Sequence, residues 1–121
     1  MTLDEISLSD CIILKITKKN KIICIEFEQV FDIENKKFIK NCTISIMNWD
    51  IFIIKLFISS EPFSALIEKT LNENDFEAFE MIHEVELKGK ELILKGFSKN
   101  SGYWMEWKFI NSVQKIEFGN R

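Results

Sequence analysis

The 121-residue chain has a formal net charge of −3 at pH 7, and 46% of its residues are apolar. This length fits one domain over residues 1–121, which can bury a sizeable core without a metal or a disulfide. The acidic balance argues against nucleic-acid binding, and four glycines with one proline are too few for a low-complexity chain.

Strand-like alternation of apolar and polar residues begins near the N-terminus, where Ile12, Leu14 and Ile16 share one face. Polar residues 18–21 follow, and a second alternating run covers residues 23–28. Two such runs joined by a short polar segment predict a β-hairpin.

The alternation returns at residues 38–47, and the apolar run 51–58 then indicates a strand buried on both faces or nearly so. The period changes once along the chain. Pro62 is placed to begin a helix, and apolar residues recur at helical spacing as far as Leu71. We therefore predict a single short helix over residues 62–71, followed by a polar loop.

Strand alternation resumes at Phe79 and continues towards the end of the chain. His83 lies among apolar residues on one face of a predicted strand, and Trp104 and Trp107 lie on opposite faces of another. Gly96 interrupts a strand pattern, which indicates a bulge or a close backbone approach. The chain therefore predicts a mainly β fold of about eight antiparallel strands with one short helix, as a two-layer sandwich or a partly closed barrel.

The cysteines and the apolar runs bear on the cellular compartment. Cys11, Cys24 and Cys42 show no Cys-x-x-Cys spacing, so we expect free thiols and no metal site. Residues 1–10 include three acidic residues and lack the basic and apolar segments of a signal peptide. Residues 51–58 are far short of the roughly 20 residues that a membrane helix needs. We therefore expect a cytoplasmic protein that does not bind a membrane.

The sequence contains no recognised catalytic or cofactor-binding motif. His83 is the single histidine, and its apolar neighbours indicate a structural role. There is no glycine-rich phosphate loop, and a histidine-based metal site would lack further ligands. Alternating carboxylates on a strand can perform acid–base chemistry, but they are also typical of any solvated β face. The sequence therefore favours a binding protein without a cofactor over an enzyme.

The acidic residues are concentrated in one segment. Residues 61–86 contain eight acids and one lysine, a net charge of −7, whereas residues 1–60 are neutral overall. Such a block speeds association with a basic partner, but it is also typical of a solvated face. If the block forms a binding face, its candidate residues are Glu73, Asp75, Glu77, Glu80, Glu84 and Glu86.

An aromatic pattern in the last third of the chain resembles a known family. Residues 94–97 contain Gly-Phe, residues 101–109 contain Gly-x-Trp-x-Glu-Trp, and Trp49-Asp50 lies upstream. This combination resembles the small all-β immunity proteins of bacterial polymorphic toxin systems, of the contact-dependent inhibition type. The resemblance implies that the chain neutralises a cognate protein toxin, expected to be a nuclease, by covering its basic active-site or substrate surface. Trp104 is then the expected aromatic anchor.

A second class of function stays open. The eleven phenylalanines could line an apolar pocket inside a β-barrel, as in a carrier or sensor of small molecules, or could simply fill the core. The sequence leaves both the identity of the toxin and the choice between monomer and dimer open.

Overall fold

The computed structural model of the chain describes residues 1–59 and 66–119. Within these residues the backbone forms ten strands in two antiparallel sheets, which confirms the predicted mainly β fold. In chain order the strands are β1 (Ile6–Ser7), β2 (Ile13–Lys19), β3 (Ile22–Asp32), β4 (Lys37–Met47), β5 (Ile51–Ile58), β6 (Ile67–Leu71), β7 (Phe79–Lys88), β8 (Glu91–Ser98), β9 (Trp104–Ile110) and β10 (Val113–Phe118). Two 3₁₀ helices cover Leu3–Glu5 and Glu73–Asp75. The described part of the chain includes no helix that is long and apolar enough to cross a membrane.

The first sheet contains β1, β2, β3, β4 and β10. β4 lies between β3 and β10, and the other edge of β3 is divided between β2 and β1. The buried positions of β3 change phase between Phe27 and Val30, and Asn41 on the paired strand has a left-handed φ of +58°. Such a change of phase accompanies a bend in the strands. One sheet of the fold curls into a half-barrel, so the molecule combines a sandwich with partial closure.

The second sheet has the strand order β6, β5, β9, β8, β7. Its inner face packs into the core, and its outer face carries half-buried and exposed side chains. β5, which was predicted to be buried on both faces, is therefore buried on one face and half-buried on the other. Phe52, Ile54 and Leu56 are buried, whereas Ile51 is 50% exposed.

The helix predicted over residues 62–71 is wrong for residues 67–71, which form the edge strand β6 paired with β5. Residues 62–65 lie outside the described part of the chain. The error has a geometric cause, because a spacing of four residues places Ile67 and Leu71 on one face of a helix and equally on one face of a strand. Pairing with β5 decides between the two structures.

A bulge between Ile13 and Lys15 changes which residues of β2 face the core. Ile13 and Ile16 pack against the core, whereas Ile12 and Leu14 are 57% and 56% exposed. The prediction that Ile12, Leu14 and Ile16 share one face is therefore wrong, since one extra residue reverses the alternation.

β7 contains two bulges, one after Phe79 and one after Ile82. Core contacts consequently recur every three residues, at Phe79, Ile82 and Val85, instead of every two. His83 was expected on the same face as Phe79, but the bulges turn it to the outer face, where its ring contacts Phe97.

Gly96 of β8 pairs with Ile82, beside the second bulge of β7. A Cβ atom on Gly96 would lie 2.0 Å from the carbonyl oxygen of Met81 and 3.0 Å from the Cα of Ile82. The predicted close backbone approach is confirmed, and the absence of a side chain lets β7 and β8 stay paired across the bulge.

The cysteines sit in or beside the first sheet. Cys11 and Cys42 are buried, and Cys24 is half-buried with its Sγ 3.5 Å from the hydroxyl oxygen of Ser45. Burial raises the pKa of the Cys11 thiol, so this thiol stays protonated at neutral pH. A protonated, buried thiol is a poor nucleophile, and we interpret Cys11 as a core residue.

Candidate functional site

The outer face of the second sheet holds the most distinctive arrangement of side chains in the described residues. Cross-strand pairing aligns outward side chains of β5, β9, β8 and β7 in rows that run across the strands. Two adjacent rows form the candidate site. The charged row consists of Lys55, Glu106, Lys95 and Glu84, and the apolar row consists of Phe57, Trp104, Phe97 and Met81.

Aromatic rings at the centre of the apolar row contact one another. The ring centroids of Phe97 and Trp104 lie 5.2 Å apart, and His83 adds contacts of 5.4 Å to Phe97 and 5.9 Å to Trp104. Phe97 is 43% exposed, and Trp104 and His83 are half-buried. The second bulge of β7 is what brings His83 to this cluster. The result is an aromatic surface on a rigid strand framework, open to a partner.

The charged row is centred on Lys95. Its Nζ lies 3.0 Å from a carboxylate oxygen of Glu86 and 3.9 Å from carboxylate oxygens of Glu84 and of Glu106. Three carboxylates thus share one ammonium group, which leaves this cluster with a net charge of −2. Glu84 is the most accessible of the three acids, with 58% of its side chain exposed.

Electrostatics keep the Glu86–Lys95 pair ionised. The hydrogen bond and the positive charge of Lys95 lower the pKa of Glu86. The same hydrogen bond, with the nearby carboxylates, raises the pKa of Lys95. Because the pKa of the acid is lowered and the pKa of the base is raised, both groups of the pair stay charged at physiological pH.

Two of the predicted acidic residues are bound to the fold instead of facing a partner. One carboxylate oxygen of Glu73 accepts a hydrogen bond of 2.8 Å from Nε1 of buried Trp49, and the other lies 3.9 Å from Nζ of Lys18. The carboxylate of Glu77 accepts a hydrogen bond of 2.6 Å from the Ser98 hydroxyl. The backbone carbonyl of Glu77 accepts a further bond of 3.1 Å from Nε1 of Trp107.

The remaining predicted residues are divided between two places. Asp75 and Glu80 are exposed, and Glu80 lies in a groove between the start of β7 and β2. Glu84, Glu86 and Trp104 lie on the outer face of the second sheet. The six predicted acidic residues therefore do not form one continuous surface, because the bulges of β7 and the loop before it turn them in different directions.

Sequence reasoning missed the residues that complete this face, namely Lys55, Phe57, Met81, Lys95, Phe97 and Glu106. Alternation along β8 and β9 already places Lys95 with Phe97, and Trp104 with Glu106, on common faces. The missing information was the register between strands, which sets Lys95 opposite Glu106 and Phe97 opposite Trp104.

Four phenylalanine side chains help to fill the core of the second sheet. The rings of Phe52, Phe76, Phe79 and Phe109 surround Trp107, with centroid distances to it between 4.5 and 6.3 Å. The groove lined by Leu87, Lys90, Asn111 and Gln114 lies between strands at the surface. Within residues 1–59 and 66–119, no three or more His, Cys, Asp or Glu side chains are placed to hold a metal ion.

Neither models of known protein families, nor characterised proteins, nor solved structures match this chain. The chemistry of the outer face is accordingly the basis for assigning a function. An apolar row beside a cluster of surplus carboxylates suits recognition of a protein surface.

Proposed function

We propose that the chain is an immunity protein that binds a cognate toxin and covers the basic active-site or substrate surface of that toxin. The outer face of the second sheet is the binding face in this proposal. The observation that carries it is the adjacency, on one sheet face, of the partly exposed apolar row and the acidic cluster formed by Glu84, Glu86 and Glu106 around Lys95.

The apolar row, with aromatic rings at its centre, supplies the apolar part of the proposed interface. Tryptophan and tyrosine are enriched among the few residues that dominate binding energy, and such residues cluster near the centre of an interface. Trp104 has aromatic neighbours on two sides and lies on β9, which is paired on both edges. A side chain held in this way loses little conformational entropy when a partner binds.

The acidic cluster supplies selectivity for a basic partner. A lysine or arginine of the toxin can pair with accessible Glu84 and share the surplus negative charge around Lys95. Exposed Asp75 and Glu80 add long-range attraction that speeds the encounter. A nuclease fits this description, since its substrate surface must attract phosphates.

The immunity-protein pattern also supports this location. Gly102 has a left-handed φ of +75° in the turn before β9, a conformation that favours glycine. From that turn, alternation directs Trp104 and Glu106 outwards and Trp107 into the core. Three residues of the pattern, Phe97, Trp104 and Glu106, therefore lie on the proposed binding face.

Replacing Trp104 with alanine is expected to weaken toxin binding by about 2 kcal/mol, roughly 30-fold in Kd, because a central aromatic anchor is lost. The tagged chain would be used to capture the toxin from the source organism. The purified toxin would then be titrated with each variant by calorimetry. Phe38→Ala is the matched control, since Phe38 is a 57% exposed aromatic residue on the first sheet. Equal binding by parent and Trp104→Ala would rule out this anchor.

Changing Glu80, Glu84 and Glu86 together to glutamine is expected to slow toxin association at low salt by about tenfold and to flatten its salt dependence. Melting temperature should change little, because partly exposed ion pairs contribute at most about 1 kcal/mol each. The control triple of Glu28, Glu34 and Glu117 to glutamine alters net charge by the same amount elsewhere. If both triples slowed association equally, overall charge and not the position of these β7 carboxylates would govern binding.

A further inference from the structure

The charged row has an order of signs that makes it complementary to itself. Across β5, β9, β8 and β7 the row reads Lys55, Glu106, Lys95 and Glu84. The signs are therefore plus, minus, plus, minus. In reverse order the signs are minus, plus, minus, plus. A second copy that is related to the first by a twofold axis between the two central strands, β9 and β8, therefore presents the opposite charge to each of the four positions.

The apolar row obeys the same symmetry. Its four residues are Phe57, Trp104, Phe97 and Met81, in the same strand order. Reversal places Trp104 against Phe97 of the partner subunit, and Phe57 against Met81 of the partner subunit. A single twofold axis, parallel to the strands and between β9 and β8, thus satisfies both rows at once.

We infer that a second copy of this chain docks face to face on the outer face of the second sheet, as a symmetric dimer. Lys95 then pairs with the partner's Glu106, and Lys55 pairs with the partner's Glu84, each contact occurring twice as in any isologous interface. Sheets that pack face to face lie about 10 Å apart, a distance that lysine and glutamate side chains can bridge. The inference rests on the proposed function, because it assigns a second occupant to the same binding face.

The dimer is a weak one. The two rows contribute eight residues from each copy, against the roughly 20–30 residues a side of a standard stable interface. The next row consists of Ile53, Lys108, Ile93 and Glu86, and reversal would set Ile53 against a carboxylate. Self-association is therefore confined to the two rows, and a tightly bound toxin displaces the second copy. The pairing covers the aromatic surface while no toxin is present.

The test uses two charge-reversal variants that compensate for each other when they are mixed. Lys95→Glu alone sets two pairs of glutamates against each other in a dimer, and Glu106→Lys alone sets two pairs of lysines against each other. In an equimolar mixture of the two variants, all four charge contacts of a mixed dimer are restored. Lys115→Glu is the control, since Lys115 is an exposed lysine of β10 on the other sheet.

Sedimentation velocity of the full chain at about 100 μM, in about 50 mM and about 500 mM salt, provides the measurement. We expect a reversible dimer of the parent that weakens in high salt, at least tenfold weaker association of each variant alone, and recovery in the mixture. A monomeric parent, or a mixture no more associated than its separate components, would overturn the inference. Association retained by each variant alone would also overturn it.

The two proposals fail in different experiments. Absence of the dimer leaves toxin binding by Trp104 and the acidic residues unaffected. Conversely, unchanged toxin affinity of Trp104→Ala rules out Trp104 as the toxin anchor, while recovery of association in the variant mixture would still place a second copy on this face.

Discussion

Replacing Gly96 with alanine is expected to destabilise the protein by about 3 kcal/mol. The added Cβ would lie 2.0 Å from the carbonyl oxygen of Met81, well inside van der Waals contact. The clashing atom belongs to the backbone of β7, so no side-chain rotation can relieve it. Overpacking of a filled site costs about 1–3 kcal/mol and occasionally more, and a backbone clash belongs at the upper end. Urea unfolding followed by fluorescence measures the loss.

Gly119→Ala is the matched control for this substitution. No atom lies within 4 Å of a Cβ at Gly119, so we expect a change within about 0.5 kcal/mol. The clash at Gly96 would also push β7 away from β8, and with it Glu84 and Glu86. Equal stability of Gly96→Ala and the parent would mean that β7 does not pack on β8 as closely as described.

Replacing Trp107 with alanine is expected to cost about 3–5 kcal/mol, the usual range for deleting a buried large aromatic side chain. Trp107 is fully buried, and its ring contacts several phenylalanines, including Phe79 at a centroid distance of 4.5 Å. Its Nε1 also donates a hydrogen bond to the backbone carbonyl of Glu77. Deletion therefore opens a cavity and removes a contact that fixes the loop before β7.

The same substitution three residues earlier separates stability from binding. Trp104→Ala changes a half-buried tryptophan on the opposite face of β9, and we expect it to cost no more than about 1 kcal/mol. Chemical unfolding of the two variants side by side gives the comparison. Similar losses for Trp104→Ala and Trp107→Ala would contradict the assignment of inner and outer faces.

Strand identity could be predicted where alternation is uninterrupted. β9 is the best example, since Met105, Trp107 and Phe109 are buried and the residues between them are not. Alternation fails at bulges, because one inserted residue reverses every later position, as in β2 and β7. Single-sequence periodicity contains no information on where a partner strand forces such an insertion.

The residues of the proposed binding face could be predicted only in part from the sequence. Trp104, Glu84 and Glu86 were identified from the motif and the local charge. Their association with Lys95 depends on the pairing of β8 with β7 and β9, a property of register and not of composition. Glu73 and Glu77 contributed to the same local charge, yet their carboxylates accept hydrogen bonds from Trp49 and Ser98 inside the structure.

The strict alternation along β9 has a consequence for how such a protein can diverge. Positions 104, 106 and 108 face outwards, while positions 105, 107 and 109 fill the core, so the proposed recognition and the folding of the chain use different residues of one strand. Under the proposed function, substitutions at the outward positions can follow a changing toxin surface at a stability cost within about 1 kcal/mol. A lineage could thus acquire a new specificity within a few substitutions on β9 and β8 while its core stays unaltered.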